Sequence, residues 1–335
     1  MLSDVRNYYG LAKDFGQAGY FETEHSEQIV RELKLEIKVG KLVALSGIIG
    51  SGKSTMLRRI QEALAQDKEI LVSKSLSLEK GQISLATLIM ALFYDLAIEK
   101  ELKIPSQPER RERALRDLIR KRQKPIALFI DDAHDLHSKT LIGLKRLIEV
   151  VRDSGGTLSV VLAGHPKLKN DLRRPAMEEI GSRATIFELE GLGSEKQRYI
   201  KWLLMQSVAP KTKIEAIITE EALATLSEKL STPLQFEFYL TRAFEEAHKV
   251  GQKPVGADMI DNVLAKDING LEPRLTREGY NTKVLAELLN AKPREIKAFL
   301  RGQLAPGPDS GITNRAPGGG NPALIYILIN VTTRS

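Results

Sequence analysis

The stretch "ALSGIIGSGKSTML", residues 44–57, decides the fold. The run "KLVAL" (Lys41 to Leu45) is short and apolar, as a buried parallel strand is. From Gly47 the chain reads Gly47-Ile48-Ile49-Gly50-Ser51-Gly52-Lys53-Ser54, which satisfies G-x-x-x-x-G-K-[ST] at every fixed position. The following "STMLRRIQEALAQ" places Leu57, Ile60 and Leu64 on one helical face. Strand, glycine loop and helix start therefore come in the order that a phosphate cradle requires. Glycines let consecutive backbone N–H groups turn inward and let phosphate approach the chain closely. The helix N-terminus adds a partial positive charge. Gly47, Gly50, Ser51, Gly52, Lys53, Ser54 and Thr55 are thus predicted to hold a nucleotide's phosphates. Lys53 would reach the β- and γ-phosphates and Ser54 would hold Mg²⁺. The competing reading, a glycine-rich turn with a chance lysine, has to explain four fixed positions and both flanks at once.

Working outward, the rest of the chain sets the frame. Its 335 residues suffice for two or three domains, and its composition is that of a globular protein. There is no cysteine, so disulfides, thiolate metal sites and cysteine nucleophiles are excluded. "MLSDVRNYYGLAKDFG" lacks a secretory layout, and the apolar run "ALIYILI" (Ala323 to Ile329) is too short to span a bilayer. A cytoplasmic location with no membrane span is the resulting expectation. The net charge of +7 leans toward a polyanionic partner.

Strand and helix signals alternate up to Gly191. "EHSEQIVRELKLEIKVG" has Ile29, Leu33 and Ile37 at helical spacing. Strands are predicted at "KEILVSKSLS" (68–77), "IALFIDD" (126–132), "TLSVVLAG" (157–164) and "ATIFELE" (184–190). Helices are predicted at "SLATLIMALFYDLAI" (84–98), between Pro105 and Pro125, and at "SKTLIGLKRLIEVVRDSGG" (138–156). Such alternation means a parallel α/β sheet. Residues 194–268 read as helices only. The predicted division is an N-terminal segment and helix (1–40), a phosphate-loop domain (41–192), a helical lid (193–269), a helix-turn-helix-like unit (270–304) and a tail (305–335) of unlike composition, expected to be disordered.

The third strand ends in Asp131 and Asp132. A carboxylate there can hold Mg²⁺ from the side opposite the loop, which makes Asp131 the partner of Ser54. Asp132 could orient or deprotonate the attacking water; a helix cap is the plainer alternative for such a pair. His165 follows the fourth strand, at the edge where ligands bind in open α/β sheets, and could sense the γ-phosphate or the water. His134 and His137 near the aspartates could suggest a metal, but they read better as a solvated helix start, because no third ligand has metal-site spacing. Arg183, just before the fifth strand, is a candidate to reach a neighbouring subunit's γ-phosphate; Arg173 and Arg174 come earlier, and pairing with Glu178 or Glu179 is the alternative.

Taken together, these pieces resemble the AAA+ ATPases of the ExeA/TnsC group, which includes IstB and MuB. The resemblance runs from about Tyr9 to Leu304 and rests on "AGYFETEHSEQI", "ALSGIIGSGKST", "ALFIDDAHDL", "VVLAGHPKL", "ITEEAL" and "TRAFEEA". It implies a parallel five-stranded P-loop αβα domain of strand order 5-1-4-3-2, an all-helical lid, and ATP with Mg²⁺ bound between subunits of a ring or helical filament. It further implies hydrolysis, assembly on double-stranded DNA and recruitment of a transposase; ExeA-named relatives point instead to secretion. Two residues depart from the group's pattern. Asp132 stands where many members have Glu, which implies slow hydrolysis. Pro233-Leu234-Gln235 replaces a Pro-Arg pair, leaving Arg242 as the substitute for the lid arginine.

The C-terminal unit bears on what the energy moves. Two helices, Thr282 to Leu289 and about Pro293 to Gln303, flank a short turn, with Ala286 small where they would cross. Residues 271–304 carry seven basic and four acidic side chains. Lys292, Arg294, Lys297 and Arg301 are predicted to face DNA, and a helical hairpin docked on protein is the alternative. Lys74 and Lys80 flank the loop after the second strand and are candidate lysines of a DNA-facing pore. Residues 101–124, with nine basic and four acidic residues, read as a solvated face. A protein-only nucleotide switch is the third functional class left standing.

Overall fold

The computed structural model describes residues 1–74, 83–97, 104–264, 275–289 and 292–300. Lys80, Arg301 and the 305–335 tail lie outside the described residues. The described chain forms two compact units. One comprises residues 18–202 with Ser231–Leu234, and the other Met1–Gln17, Leu203–Leu230 and the residues from Gln235 onward. The segment 1–40 is therefore shared between the units.

The first unit is a parallel five-stranded sheet. Its strands are β1 (Leu42–Gly47), β2 (Leu71–Lys74), β3 (Ile126–Ile130), β4 (Leu158–Gly164) and β5 (Ala184–Leu189). The order β2-β3-β4-β1-β5 is the predicted 5-1-4-3-2 read from the other edge. β1 is an interior strand, with Leu42 opposite both Val160 of β4 and Ala184 of the edge strand β5. Every residue of β1, β3 and β4 is buried, as apolar strands covered on both faces must be.

Strand alternation builds two cores, one on each face. Leu42, Ala44, Ile126, Leu128, Ile130, Val160 and Leu162 point into one. Helices α4 (Leu85–Leu96), α5 (Pro108–Arg122), α6 (Ser138–Asp153) and α7 (Pro166–Leu172) supply the rest of it, through residues such as Leu92, Leu115, Leu144 and Leu168. Val43, Leu45, Ala127, Phe129, Val161 and Ala163 point the other way, onto α2 (Glu24–Lys38) and α3 (Lys53–Asp67). The period-2 strand pattern thus becomes an α-β-α sandwich. In α2 the helically spaced Ile29, Leu33 and Ile37 are all buried, and Thr23 and Ser26 form a reciprocal N-terminal cap. The basic run of residues 101–124 does structural work at three places. Arg122 donates to the carbonyl of Leu96 at 2.9 Å, Lys124 to that of Lys68 at 3.0 Å, and Arg111 to that of Pro105 at 3.0 Å. The first two satisfy carbonyls at the ends of α4 and α3.

The second unit is helical. It includes α1 (Ser3–Tyr9), which periodicity did not reveal, α10 (Glu220–Lys229), α12 (Ala257–Leu264), most of α11 (Pro233–Lys249) and the last turn of α9 (Lys196–Ser207), whose first part lies in the sheet unit. α1 is held by aromatic packing. The Tyr9 ring lies 4.7 Å from that of Phe244, and its hydroxyl donates to the Gln252 carbonyl at 2.7 Å. Burial pushes the Tyr9 phenol up to about 12. Near the C-terminal end of the described chain, α13 (Thr282–Leu289) and α14 (Pro293–Leu300) pack on each other, with Leu285, Ala286 and Ile296 buried. Asn281 Oδ1 accepts from the Lys283 and Val284 amides at 3.0 Å each and so starts α13. No described helix is long and apolar enough to cross a membrane.

Leu128 is fully buried in the middle of β3. Leu128→Ala is expected to lower unfolding free energy by about 2–5 kcal/mol, read from urea denaturation midpoints. An unchanged midpoint would show that this core face is not packed as described.

Candidate functional site

All five strands run in parallel, so their carboxyl ends form one edge, and the loops following β1, β3 and β4 meet there. The glycine loop runs from the end of β1 into α3. Gly50 and Gly52 have φ of 80° and 97°, values that side chains disfavour. At Gly52 an added Cβ would meet nothing within 4 Å, so the backbone there is open to a close ligand. At Gly50 it would strike Leu234 Cβ at 2.6 Å and Thr232 Oγ1 at 2.9 Å. Residues 231–234 thus lie against the loop tip, which no sequence signal had indicated.

The two chemical ends of the motif are in place. Lys53 Nζ donates to the carbonyls of Gly47 at 2.7 Å and Ile48 at 2.9 Å, which folds the ammonium over the loop. Ser54 Oγ donates to Asp131 Oδ2 at 2.6 Å, across 77 positions of sequence. The other carboxylate oxygen of Asp131 accepts the backbone N–H of Asp132 at 2.9 Å. Ser54 and Asp131 are both exposed at this point. One hydroxyl and one carboxylate, hard oxygen ligands side by side, fit Mg²⁺. Together with the open backbone at Gly52, these groups fit a nucleotide's phosphates and its metal. Ser51 is buried in the loop, and its Oγ has no hydrogen-bond partner among the described residues. Thr55 is exposed one residue further along α3.

Asp132 adopts φ 52°, a left-handed conformation that Asp tolerates better than most residues. The turn that it opens carries His134 toward the end of β4. Gly164 permits this approach, since a Cβ there would lie 3.1 Å from the His134 amide nitrogen. The rings of His134 and His165 consequently stand 3.9 Å apart, centroid to centroid. Asp132, His134 and His165 each offer a side-chain ligand atom within 4.8 Å of the others. The expected solvated helix start holds for the exposed His137 only; His134 is turned inward because the β3 and β4 loops are neighbours.

Burial pushes the His165 imidazole down to about 4, with the nearby charges of His134 and Lys53 adding to the effect and Asp132 opposing it. Burial likewise lowers His134, against the pull of Asp135 and Asp132. Both rings are therefore neutral near pH 7.

The arginines lie elsewhere. Arg183 precedes Ala184, which pairs with Leu42 at the start of β1. The glycine loop follows Gly47, about 16 Å further along the strand at 3.3 Å per residue. Arg183 thus stands at the opposite edge of the sheet, where it forms an ion pair with Glu149. Lys145 pairs with the same Glu149 at 3.1 Å and also with Glu179. Arg174 pairs with Asp171 at 2.7 Å, and Arg173 is exposed. Lys74 is exposed at the carboxyl end of β2, its amide held by Asp95 at 3.0 Å. Lys292, Arg294 and Lys297 are exposed along α14 and its approach. Arg242 belongs to the helical unit, with its guanidinium 6.0 Å from the centre of the Phe238 ring.

An aromatic cluster near the sheet also went unread in the sequence. Phe21 lies 5.4 Å from Tyr199 and 5.3 Å from Trp202, with Arg198 over its ring. The contributing residues are too far apart in sequence for periodicity to connect them.

Comparison with known proteins agrees with this geometry. Residues 37–172 match the family described as AAA domain. General secretion pathway protein A of Aeromonas hydrophila is 27% identical over 196 residues, which cover 56% of this chain and 33% of that protein. The chain thus spans about a third of that relative's length. Among solved structures, the Aeropyrum pernix ORC2 protein superposes with a TM-score of 0.56 at 15% identity, covering 96% of this chain and 90% of that one. The Aeropyrum pernix ORC1 protein in complex with DNA gives 0.50 at 13% identity, covering 92% and 85%. The fold is the P-loop AAA+ fold, and residues 37–172 are similar in sequence to the AAA domain family.

The depressed imidazoles have a measurable consequence. Between about pH 6.5 and about 4 an unfolded histidine takes up a proton that folded His165 refuses, so this contribution makes stability fall as pH drops through that window and leaves it flat above. Denaturation midpoints at about pH 7.5 and about pH 5 should differ more for the wild type than for His165→Gln. Equal pH dependence in the two proteins would place the ring in water.

Proposed function

We propose that this chain is an ATP-dependent AAA+ switch that assembles on duplex DNA and, in its ATP form, selects a transposition target and recruits or activates a transposase. The observation that carries the ATPase part is the 2.6 Å contact between Ser54 and Asp131, which puts the two expected Mg²⁺ ligands side by side. Bound Mg²⁺ would neutralise charge on the β- and γ-phosphates. The residues of this chain would do the rest. Lys53 would move from the carbonyls of Gly47 and Ile48 to phosphate oxygens, while the N–H groups from Gly50 to Thr55 cradle them. Asp132 would orient the attacking water and accept its proton, with neutral His165 beside it to read the γ-phosphate. Arg183, remote from its own loop, would serve a neighbouring subunit's site after exchanging Glu149 for phosphate. A ring or filament follows from that division of labour, and a cytoplasmic site of action goes with DNA as the partner.

The DNA part is supported by the basic balance of the chain, by the exposed Lys292, Arg294 and Lys297, and by likeness in fold to a protein solved with DNA. Lys74, Lys80 and Arg301 belong to the same proposal. α13 and α14 are read as a helix-turn-helix whose second helix enters the major groove. A second reading, a secretion-associated ATPase of the ExeA kind, is favoured by the 27% identity to General secretion pathway protein A.

Lys53→Ala is expected to reduce ATP turnover by about 10²-fold or more, the scale for losing one charge-stabilising donor, without changing far-UV circular dichroism. Undiminished turnover removes the ATPase reading. DNA binding titrated with ATP, with ADP and without nucleotide, at two salt concentrations, separates the two biological readings. Tight binding in ATP alone, weakening with a log–log salt slope of about −0.9 per phosphate neutralised, supports the DNA switch. Equal binding in all states removes the switch, and no binding in any state favours the secretion reading.

A further inference from the structure

We propose that Asp132, His134 and His165 form a binding site for a borderline transition-metal dication of the zinc type, separate from the Mg²⁺ position at Ser54 and Asp131. The three side chains come from two loops that only the sheet brings together, and each places a ligand atom within 4.8 Å of the others. Tetrahedral zinc with bonds of 2.0–2.1 Å needs ligand atoms roughly 3.3 Å apart. Side-chain rotations can close the remaining distance without moving the backbone.

A second observation points to a ligand. Nδ1 of His134 and Nδ1 of His165 are both buried, and neither has a hydrogen-bond partner among the described residues. A buried polar nitrogen left so is costly, and two of them side by side are rare without a function. On the other side of the His134 ring, Nε2 lies 3.7 Å from Asp135 Oδ1, a carboxylate within reach to orient the imidazole once a metal is held. Two imidazoles and one carboxylate, partly open to solvent, match the three-ligand zinc sites that leave a fourth position free. The chemistry also separates the two ions. Imidazole suits zinc, cobalt and nickel, whereas the hydroxyl and carboxylate at Ser54 and Asp131 suit magnesium. Of the two lysines whose charges reach these imidazoles, Lys167 is paired with Asp171 at 2.7 Å and Lys53 is drawn onto the carbonyls of Gly47 and Ile48.

The site has a consequence that rests on the role given to Asp132 under the proposed function. A metal holding that carboxylate withdraws it from the attacking water, so zinc at this position inhibits hydrolysis while Mg²⁺ and nucleotide remain bound.

The test is a titration of the full chain, free of nucleotide, with Co²⁺ followed by its visible absorption and with Zn²⁺ followed by calorimetry. One equivalent is expected, with the absorption of a four-coordinate nitrogen and oxygen site. His134→Ala and His165→Ala should each weaken binding by about tenfold or more, and the exposed His137→Ala should bind as the wild type does. His134→Gln and Asp132→Asn, which keep side-chain volume, should give the same loss if the alanine variants fold poorly. Absence of uptake by the wild type, or uptake unchanged in both histidine variants, overturns the site. Zn²⁺ added to the wild type with Mg²⁺-ATP should then slow hydrolysis, and His134→Ala should be insensitive. Zinc inhibition that persists in His134→Ala after its binding is lost overturns the inhibitory role and leaves the site. Should the wild type hydrolyse no ATP, the functional reading fails, and metal binding alone still decides the site.

Discussion

Hydrogen bonding of β1 on both sides, to β4 and to β5, is the constraint from which the rest of the first unit follows. A central parallel strand cannot face water, so both of its faces must be apolar and both must be roofed by helices. That requirement sorts Leu42 and Ala44 to one core and Val43 and Leu45 to the other. It also aligns the strands in direction, so that the loops after β1, β3 and β4 open on one edge. Ser54 and Asp131 meet there because of that alignment. Neither residue carries information about the other, and a sheet of different order would leave them apart.

The same logic sets how much could be read beforehand. The strands, the glycine loop and the capped helices are local features, written in period 2, period 3.6 and turn chemistry, and they lay within the reach of pattern reading. Strand order could be expected only through the family resemblance. The contact of His134 with His165 is non-local. Its signal was present, since each histidine closely follows a strand end and β3 and β4 are neighbours, but spacing along the chain hid it. Spacing alone makes His134 and His137 a solvated helix start, and of the two only His137 is exposed. α1 was missed for another reason. It is seven residues long, and its burial comes from aromatic packing around Tyr9 and Phe244, which no helical period announces. The contact of residues 231–234 with the glycine loop is likewise tertiary, and the Gly50 position explains it only in retrospect.

Asp132 is where the two halves of the site compete. Its left-handed backbone carries a strain of about 1 kcal/mol or more and turns the chain so that Ala133 is buried and His134 reaches the end of β4. A glutamate here would carry its carboxylate one methylene further out. With aspartate in place, its carboxylate lies within 4.8 Å of a ligand nitrogen of each imidazole. On the proposed reading, the same carboxylate would serve either the attacking water or a bound metal, and one residue links the two tendencies.

Arg183 poses the complementary problem at the far edge of the sheet. An arginine there cannot serve its own glycine loop, because the length of β1 lies between them. Its ion pair with Glu149 is largely exposed on the arginine side, and such pairs stabilise by about 0–1 kcal/mol. Glu149 moreover remains paired with Lys145 when the arginine leaves. The guanidinium can thus transfer to a phosphate of a second copy at little cost, without stranding a buried carboxylate. On the proposed reading, an arginine held by a weak, replaceable contact at one edge and a phosphate cradle at the other would favour association of like with like. The sheet that brings Ser54 to Asp131 within one chain separates Arg183 from both, so any service of Arg183 to a phosphate cradle would have to run between copies rather than within one.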